Sequence, residues 1–169
     1  MIYLFTGQPG SGKTTLAKKL QYFLQTDKKN WRKSVFHIDG DQLRELFPNT
    51  DYSKEGRERN IQKAFDIAKY LDSTNTDVVI SLVAPYRELR EKLKSECKVQ
   101  EIYCHTKKMR GRESFFALDY EPPIEFYMDL DTSDSPDNTF SKLINKFDPI
   151  QSEIEEWIEF RVKEEEENV

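Results

Sequence analysis

A chain of 169 residues, 37% hydrophobic and 34% charged, is sized for one domain with its own apolar core. Its formal net charge of −5 excludes the basic footprint expected of a protein that tracks a nucleic-acid backbone. No apolar run approaches the ~20 residues needed to span a bilayer, which argues against a membrane protein.

Ile2 to Phe5 predicts a short buried strand that runs straight into a glycine loop. That start leaves no room for a signal peptide, so the expected compartment is the cytoplasm. The loop, Gly7-Gln8-Pro9-Gly10-Ser11-Gly12-Lys13-Thr14, fits G-x-x-x-x-G-K-[ST] at every fixed position. Its glycines let several backbone N–H groups face one point, and the helix N-terminus behind them favours phosphate. ATP is therefore expected on this stretch and the following Thr15, with Lys13 on the β/γ oxygens and the Thr14 hydroxyl on Mg²⁺. Lys13 to Gln25 predicts the helix, with Leu16, Leu20, Phe23 and Leu24 at helical spacing.

Ser34 to Asp39 predicts a second strand, ending in the acidic turn Asp39-Gly40-Asp41. If the strand continues through Gly40, both carboxylates share a side. Two acids near a phosphate loop can divide metal support and proton acceptance between them. The structural alternative makes Asp41 the N-cap of a following helix. Arg44, one helical turn on, is placed to hold an anionic acceptor.

Glu55 to Asp72 predicts the longest helix, and Asp77 to Val83 the clearest buried strand. A short helix over Tyr86 to Ser95 follows Pro85. Val99 to His105 and Phe126 to Asp131 predict two further strands, and Asn138 to Phe147 and Ile150 to Glu164 closing helices. Strand–helix alternation with short connections implies an α/β fold of the P-loop NTPase kind, with a parallel sheet and helices on both faces. Ligands then bind at the carboxyl ends of the strands. Cys97 and Cys104 form no C-x-x-C pair and read as buried, inert thiols.

Beyond the loop, Asp39-Gly40-Asp41 with Arg44, Tyr52-Ser53, Arg57 and Asn60-Ile61 follow one another in a characteristic order. So do Ile80 to Arg87, Phe115 to Asp119, Tyr120-Glu121-Pro122-Pro123 and Leu130-Asp131-Thr132. This ordered set resembles the adenylylsulfate (APS) kinase family, whose members phosphorylate the 3′-hydroxyl of adenosine 5′-phosphosulfate. The resemblance runs through most of residues 1–132. It implies that Asp41 accepts the hydroxyl proton, that Asp39 organises the water shell of Mg²⁺, and that Lys13 completes the catalytic set. It also implies that Arg44, Arg57 and Asn60 hold the acceptor's phosphosulfate and sugar. Tyr52 and Phe115 would sandwich the acceptor base, where the family usually has two phenylalanines.

The simpler structural alternatives are a solvated helix face for Arg57 and Asn60, core packing for Tyr52, and a structural hydroxyl for Ser81. Arg87 and Arg90 read as salt-bridge partners on a helix surface.

The sequence departs from the family in two places. Only Thr106 to Ser114 separates the fourth strand from Phe115, where the family carries a much longer lid. A short lid over 106–119 leaves Arg110 and Arg112, with Lys107 and Lys108, to cover the transferring phosphate. The shortening also opens the choice of acceptor. Another nucleotide is the alternative, such as the cytidine diphosphoramidate used by capsule-pathway relatives, with a polynucleotide 5′-end or a non-catalytic nucleotide-binding module further behind. Secondly, 148–169 extends a kinase domain of 1–147 with an amphipathic helix, Ile150, Ile154, Trp157, Ile158 and Val162 on one stripe, and an acidic tail. That stripe would dock on its own domain or pair two subunits as a homodimer. The expected partners are ATP and a small nucleotide, not a nucleic acid or a membrane.

Overall fold

A computed structural model describes residues 1–26 and 34–147. Five strands, β1 (Ile2–Thr6), β2 (Val35–Asp39), β3 (Asp77–Ser81), β4 (Val99–His105) and β5 (Tyr127–Asp131), form one sheet in the order β2-β3-β1-β4-β5. Every pairing is parallel. Parallel neighbours need crossovers, and helices supply them. They are α1 (Lys13–Thr26), α2 (Gly40–Leu46), α3 (Lys54–Ser73) and α4 (Arg87–Glu96), followed by α5 over 136–147.

Each sheet face carries its own core. On one, Leu16, Ala17, Leu20 and Leu24 of α1 and Leu143 of α5 pack on Phe5, Val35, Val79 and Ile102. On the other, Ile61, Ala64, Phe65 and Ala68 of α3 and Leu93 of α4 pack on Ile2, Leu4, Val78 and Ile80. Strands buried on both faces explain the near-continuous apolar runs of β1 and β3. The expected α/β sheet with helices on both faces is therefore what the chain forms.

Two expected boundaries shift. β3 stops at Ser81, two residues before Val83, because Leu82 to Pro85 leave the sheet to border the cleft described below. The strand does not continue through Gly40, the condition for both carboxylates to share a side; helix α2 starts there directly from β2. The expected helix Ile150 to Glu164 and the tail lie outside the described residues. Among the described residues no helix is long and apolar enough to cross a membrane.

Candidate active site

The carboxyl ends of β1, β2 and β3 open into one cleft of about 880 Å³. The loop after β1 forms its floor. Gly7 must be glycine for two reasons. Its φ is +141°, and a Cβ there would lie 2.1 Å from the Cys104 carbonyl oxygen of β4. Thr132, just past β5, donates to the Ser11 and His105 carbonyls at 2.8 and 3.1 Å and ties the loop to the sheet.

Lys13 is buried and donates to the Gln8 carbonyl at 2.8 Å and to Ser11 Oγ at 3.4 Å. Burial pushes its ammonium down to about 8, while Asp41 and Asp39 pull the other way. Lys13, Thr14, Thr15, Pro9, Gly10 and Gly12 line the cleft. Gly7, Gln8 and Ser11 belong to the loop but not to the lining. The Gln8 amide is spent elsewhere. It donates to the Ala117 carbonyl at 2.8 Å and accepts from the Ala117 N–H at 3.0 Å. This two-point clasp ties the phosphate loop to the segment that carries Phe115.

Asp39 is the polar hub. Its Oδ1 accepts the N–H groups of Asp41 and Gln42 at 3.0 and 3.3 Å. Asp39, not Asp41, is thus the N-cap of α2. The carboxylates do not share a strand face, because the chain turns helical at Gly40. Oδ2 accepts the hydroxyls of Thr14 and Ser81, each at 2.8 Å. Burial alone would raise the Asp39 carboxyl, but these four hydrogen bonds hold it below the usual carboxylate range. Asp41, one residue into α2, is exposed and lines the cleft. Ser81, read above as a structural hydroxyl, lies in the site, and its Oγ also meets His37 Nε2 at 2.8 Å.

The donor set around Thr14 fits a hard cation. The Thr14 hydroxyl spends its proton on Asp39 and keeps its lone pairs. Among the described residues no group of three His, Cys, Asp or Glu gathers in one place. Mg²⁺ calls for no such cage, since it is held by one or two protein oxygens together with phosphates and waters.

The far wall of the cleft is a hydrogen-bonded loop over 48–53. Arg44 donates to the Asn49 and Asp51 carbonyls at 2.9 and 3.1 Å, and its guanidinium stacks 4.6 Å from the Tyr52 ring centroid. Arg57 Nε donates to the Tyr52 carbonyl at 3.0 Å. Tyr52 is 58% exposed and is no core residue. Asn60, buried on α3, reaches the Gly40 carbonyl at 3.5 Å. Arg44, Tyr52, Arg57, Asn60 and Phe115 all border the one cleft.

The short lid lies on the phosphate loop. Arg110 donates to the Gly10 carbonyl at 3.0 Å and the Thr132 carbonyl at 2.6 Å. Arg112 packs beside Gly10, with its guanidinium 6.0 Å from the Phe115 ring centroid. Arg90 is not on a helix surface. It is fully buried, pairs with Glu101 at 2.7 Å, and donates to the Ala84 and Glu121 carbonyls at 2.6 Å each. Arg87 binds the same segment, its Nε donating to the Pro122 carbonyl at 3.0 Å. Sequence reasoning read Gln8 only as part of the phosphate loop and Arg90 only as a surface ion-pair partner, and gave His37 no role, because the contacts each makes here arise only from sheet register or chain reversal.

The pattern of the adenylylsulphate kinase family matches residues 1–114. An adenylyl-sulfate kinase of Pseudomonas aeruginosa is 31% identical over 163 residues, covering 83% of this chain and 81% of that protein. A probable adenylyl-sulfate kinase of Pyrococcus abyssi is 36% identical over 102 residues, covering 59% of this chain and 56% of that protein. The chain thus spans little more than half the length of this second relative. Among solved structures, a Mycobacterium tuberculosis APS kinase in complex with AMPPNP and APS superposes with a TM-score of 0.70 at 21% identity. That match covers 87% of this chain and 96% of the other, and at this identity the likeness is one of fold.

Proposed function

Since the chain belongs to the adenylylsulphate kinase family, we propose that it transfers the γ-phosphoryl group of ATP to the 3′-hydroxyl of adenosine 5′-phosphosulfate. The observation that carries this reading is the single cleft. It joins a phosphate loop, the Asp39/Asp41 pair, and a wall of Tyr52, Phe115, Arg44 and Arg57.

The loop N–H groups and Lys13 hold the β- and γ-phosphates. Thr14 and Asp39 would hold Mg²⁺, Thr14 directly and Asp39 through water; when bound, the ion neutralises charge on the β/γ oxygens. Asp41 accepts the proton as the acceptor's 3′-oxygen bonds to the γ-phosphorus and the bond to the bridging oxygen of ADP breaks. Tyr52 and Phe115 take the acceptor base between them, where stacking contributes about 1–3 kcal/mol. Arg44, fixed by two backbone carbonyls of the 48–53 loop, and Arg57, fixed by one, offer their remaining N–H groups to the phosphosulfate. Arg110 covers the transferring group from the lid side.

The test is a steady-state assay with ATP, Mg²⁺ and adenosine 5′-phosphosulfate, with the product's phosphate position read by ³¹P NMR. Turnover to a 3′-phosphate is expected. No turnover there, with turnover on a cytidine diphosphate derivative, would keep the phosphate loop and overturn the acceptor. The matched relatives lend that cytidine alternative no support.

A further inference from the structure

His37 lies outside every motif that the reaction uses, yet it touches the polar hub. The reason is sheet geometry. Residues two apart on a strand share a face, so His37 and Asp39 of β2 both point to the α1 side. Parallel register sets Asp39 opposite Ser81 of β3, and His37 opposite Val79. Ser81 therefore stands diagonally ahead of His37 on that same face. The result is a continuous chain of side chains, His37 Nε2 to Ser81 Oγ to Asp39 Oδ2 to Thr14 Oγ1, with every link at 2.8 Å.

The direction of each link follows from which groups can donate. An ionised carboxylate only accepts, so Ser81 gives its one proton to Asp39. Its oxygen is then left with lone pairs alone for His37. The second link closes only if His37 Nε2 carries a hydrogen. An imidazole with its hydrogen on Nδ1 instead would draw the Ser81 proton toward itself and away from Asp39. Asp39 would lose a buried donor, and the carboxylate that holds Thr14 would lose one of its four restraints.

We propose that His37 is a positioning residue for the metal and phosphate end of the site: its Nε2–H fixes the Ser81 hydroxyl as a donor to Asp39, which sets the carboxylate that orients Thr14. This rests on the reading of Thr14 and Asp39 as the Mg²⁺ residues. Groups that orient metal ligands from behind typically change metal affinity about ten- to a hundredfold when removed. His37 stands one hydroxyl further out, so the lower end applies.

Two experiments decide it, one of them independent of catalysis. The chain has two histidines, so a long-range ¹H–¹⁵N spectrum of the wild-type protein contains two imidazoles, and His37→Gln assigns them. Neutral His37 is expected as the Nε2–H tautomer, and the Nδ1–H tautomer overturns the proposal. In steady-state assays, His37→Leu and Ser81→Ala should each raise the Mg²⁺ concentration for half-maximal rate about tenfold, with acceptor KM within about twofold. The double variant should match Ser81→Ala alone, because both act through one hydroxyl. His37→Gln, whose amide can donate in the same place, should recover most of the loss.

Multiplied effects in the double variant, or an unchanged Mg²⁺ requirement in His37→Leu, overturn the role of His37. Asp39→Asn separates that failure from failure of the site reading. If it raises the Mg²⁺ requirement while His37→Leu does not, only the inference falls. If neither does, the metal assignment falls as well. Should His37→Leu not fold, the tautomer and the Ser81→Ala and His37→Gln variants decide.

Discussion

Asp39 and Asp41 stand two positions apart and meet opposite surroundings. Asp39 is buried and takes four hydrogen bonds, whereas Asp41 gives its backbone N–H to the cap and lines the cleft. A saturated carboxylate is a poor proton acceptor, and an accessible one beside the acceptor pocket is a good one. Asp41→Asn should therefore lower kcat by about 10²–10⁴-fold, the usual span for general-base loss, with ATP KM nearly unchanged. A kcat within twofold of wild type would remove the proton-acceptor role. Arg57 borders the same cleft from the wall that carries Tyr52. Arg57→Ala should raise acceptor KM about ten- to a hundredfold, as expected for one lost charged hydrogen bond of about 1.5–3 kcal/mol. An unchanged KM would misplace the phosphosulfate. The sequence made the phosphate loop legible because its spacing is covalent and local. Which aspartate caps α2 was not legible, because that turns on whether the chain stays extended through Gly40. His37 and Ser81 were hidden for a different reason, since register between β2 and β3 decides their meeting.

At the scale of elements, the strands, the long helices and the position of α4 were readable, whereas the extent of α2 and the burial of α4 were not. α3 shows three turns of apolar spacing, whereas α2 buries only Leu43 and offers no periodicity to detect. α4 misleads in a more instructive way. Its buried side includes Arg90, and a charged residue on a short helix reads as surface. Here the guanidinium replaces solvent with Glu101 and two carbonyls, including that of Ala84, whose φ of +41° is strained for a non-glycine residue. Ala84 borders the cleft, so Arg90 braces the β3 exit against the segment around Glu121. Arg90→Met leaves Glu101 paired with Lys94 alone and both carbonyls without their donor. Urea unfolding should show a loss of about 3–5 kcal/mol, the usual cost of breaking a buried pair from one side. A loss below about 1 kcal/mol would mean that the pair is dispensable to the fold.

For the whole molecule, two cores share one sheet, and the phosphate loop rests on the seam where β1 meets β4. Cys104 marks that seam. Its backbone oxygen faces Gly7, and its thiol is fully buried on the α1 side. Burial pushes the thiol up from 9.0 to about 12. A thiol whose folded value is raised stabilises the fold fully below its unfolded value, and that stability drains as pH climbs through the folded one. The window is therefore pH 9.0 to about 12. Lys13 works in the opposite direction, since its ammonium is pushed from 10.5 down to about 8 and the fold gains as that strain is relieved. The absolute slope mixes both, so the informative comparison is wild type against Cys104→Ala. The variant loses packing at every pH, but it lacks the thiol's alkaline loss. Its deficit in urea midpoint should narrow as pH rises from about 8 to about 10.5. A deficit that stays constant would show that the thiol ionises in the folded state as readily as in the unfolded chain, and that the floor under the phosphate loop is open to water. The same closure predicts chemistry at neutral pH. Only the thiolate attacks alkylating reagents, so iodoacetamide at pH 8 should leave Cys104 unmodified in the native protein and label it in urea.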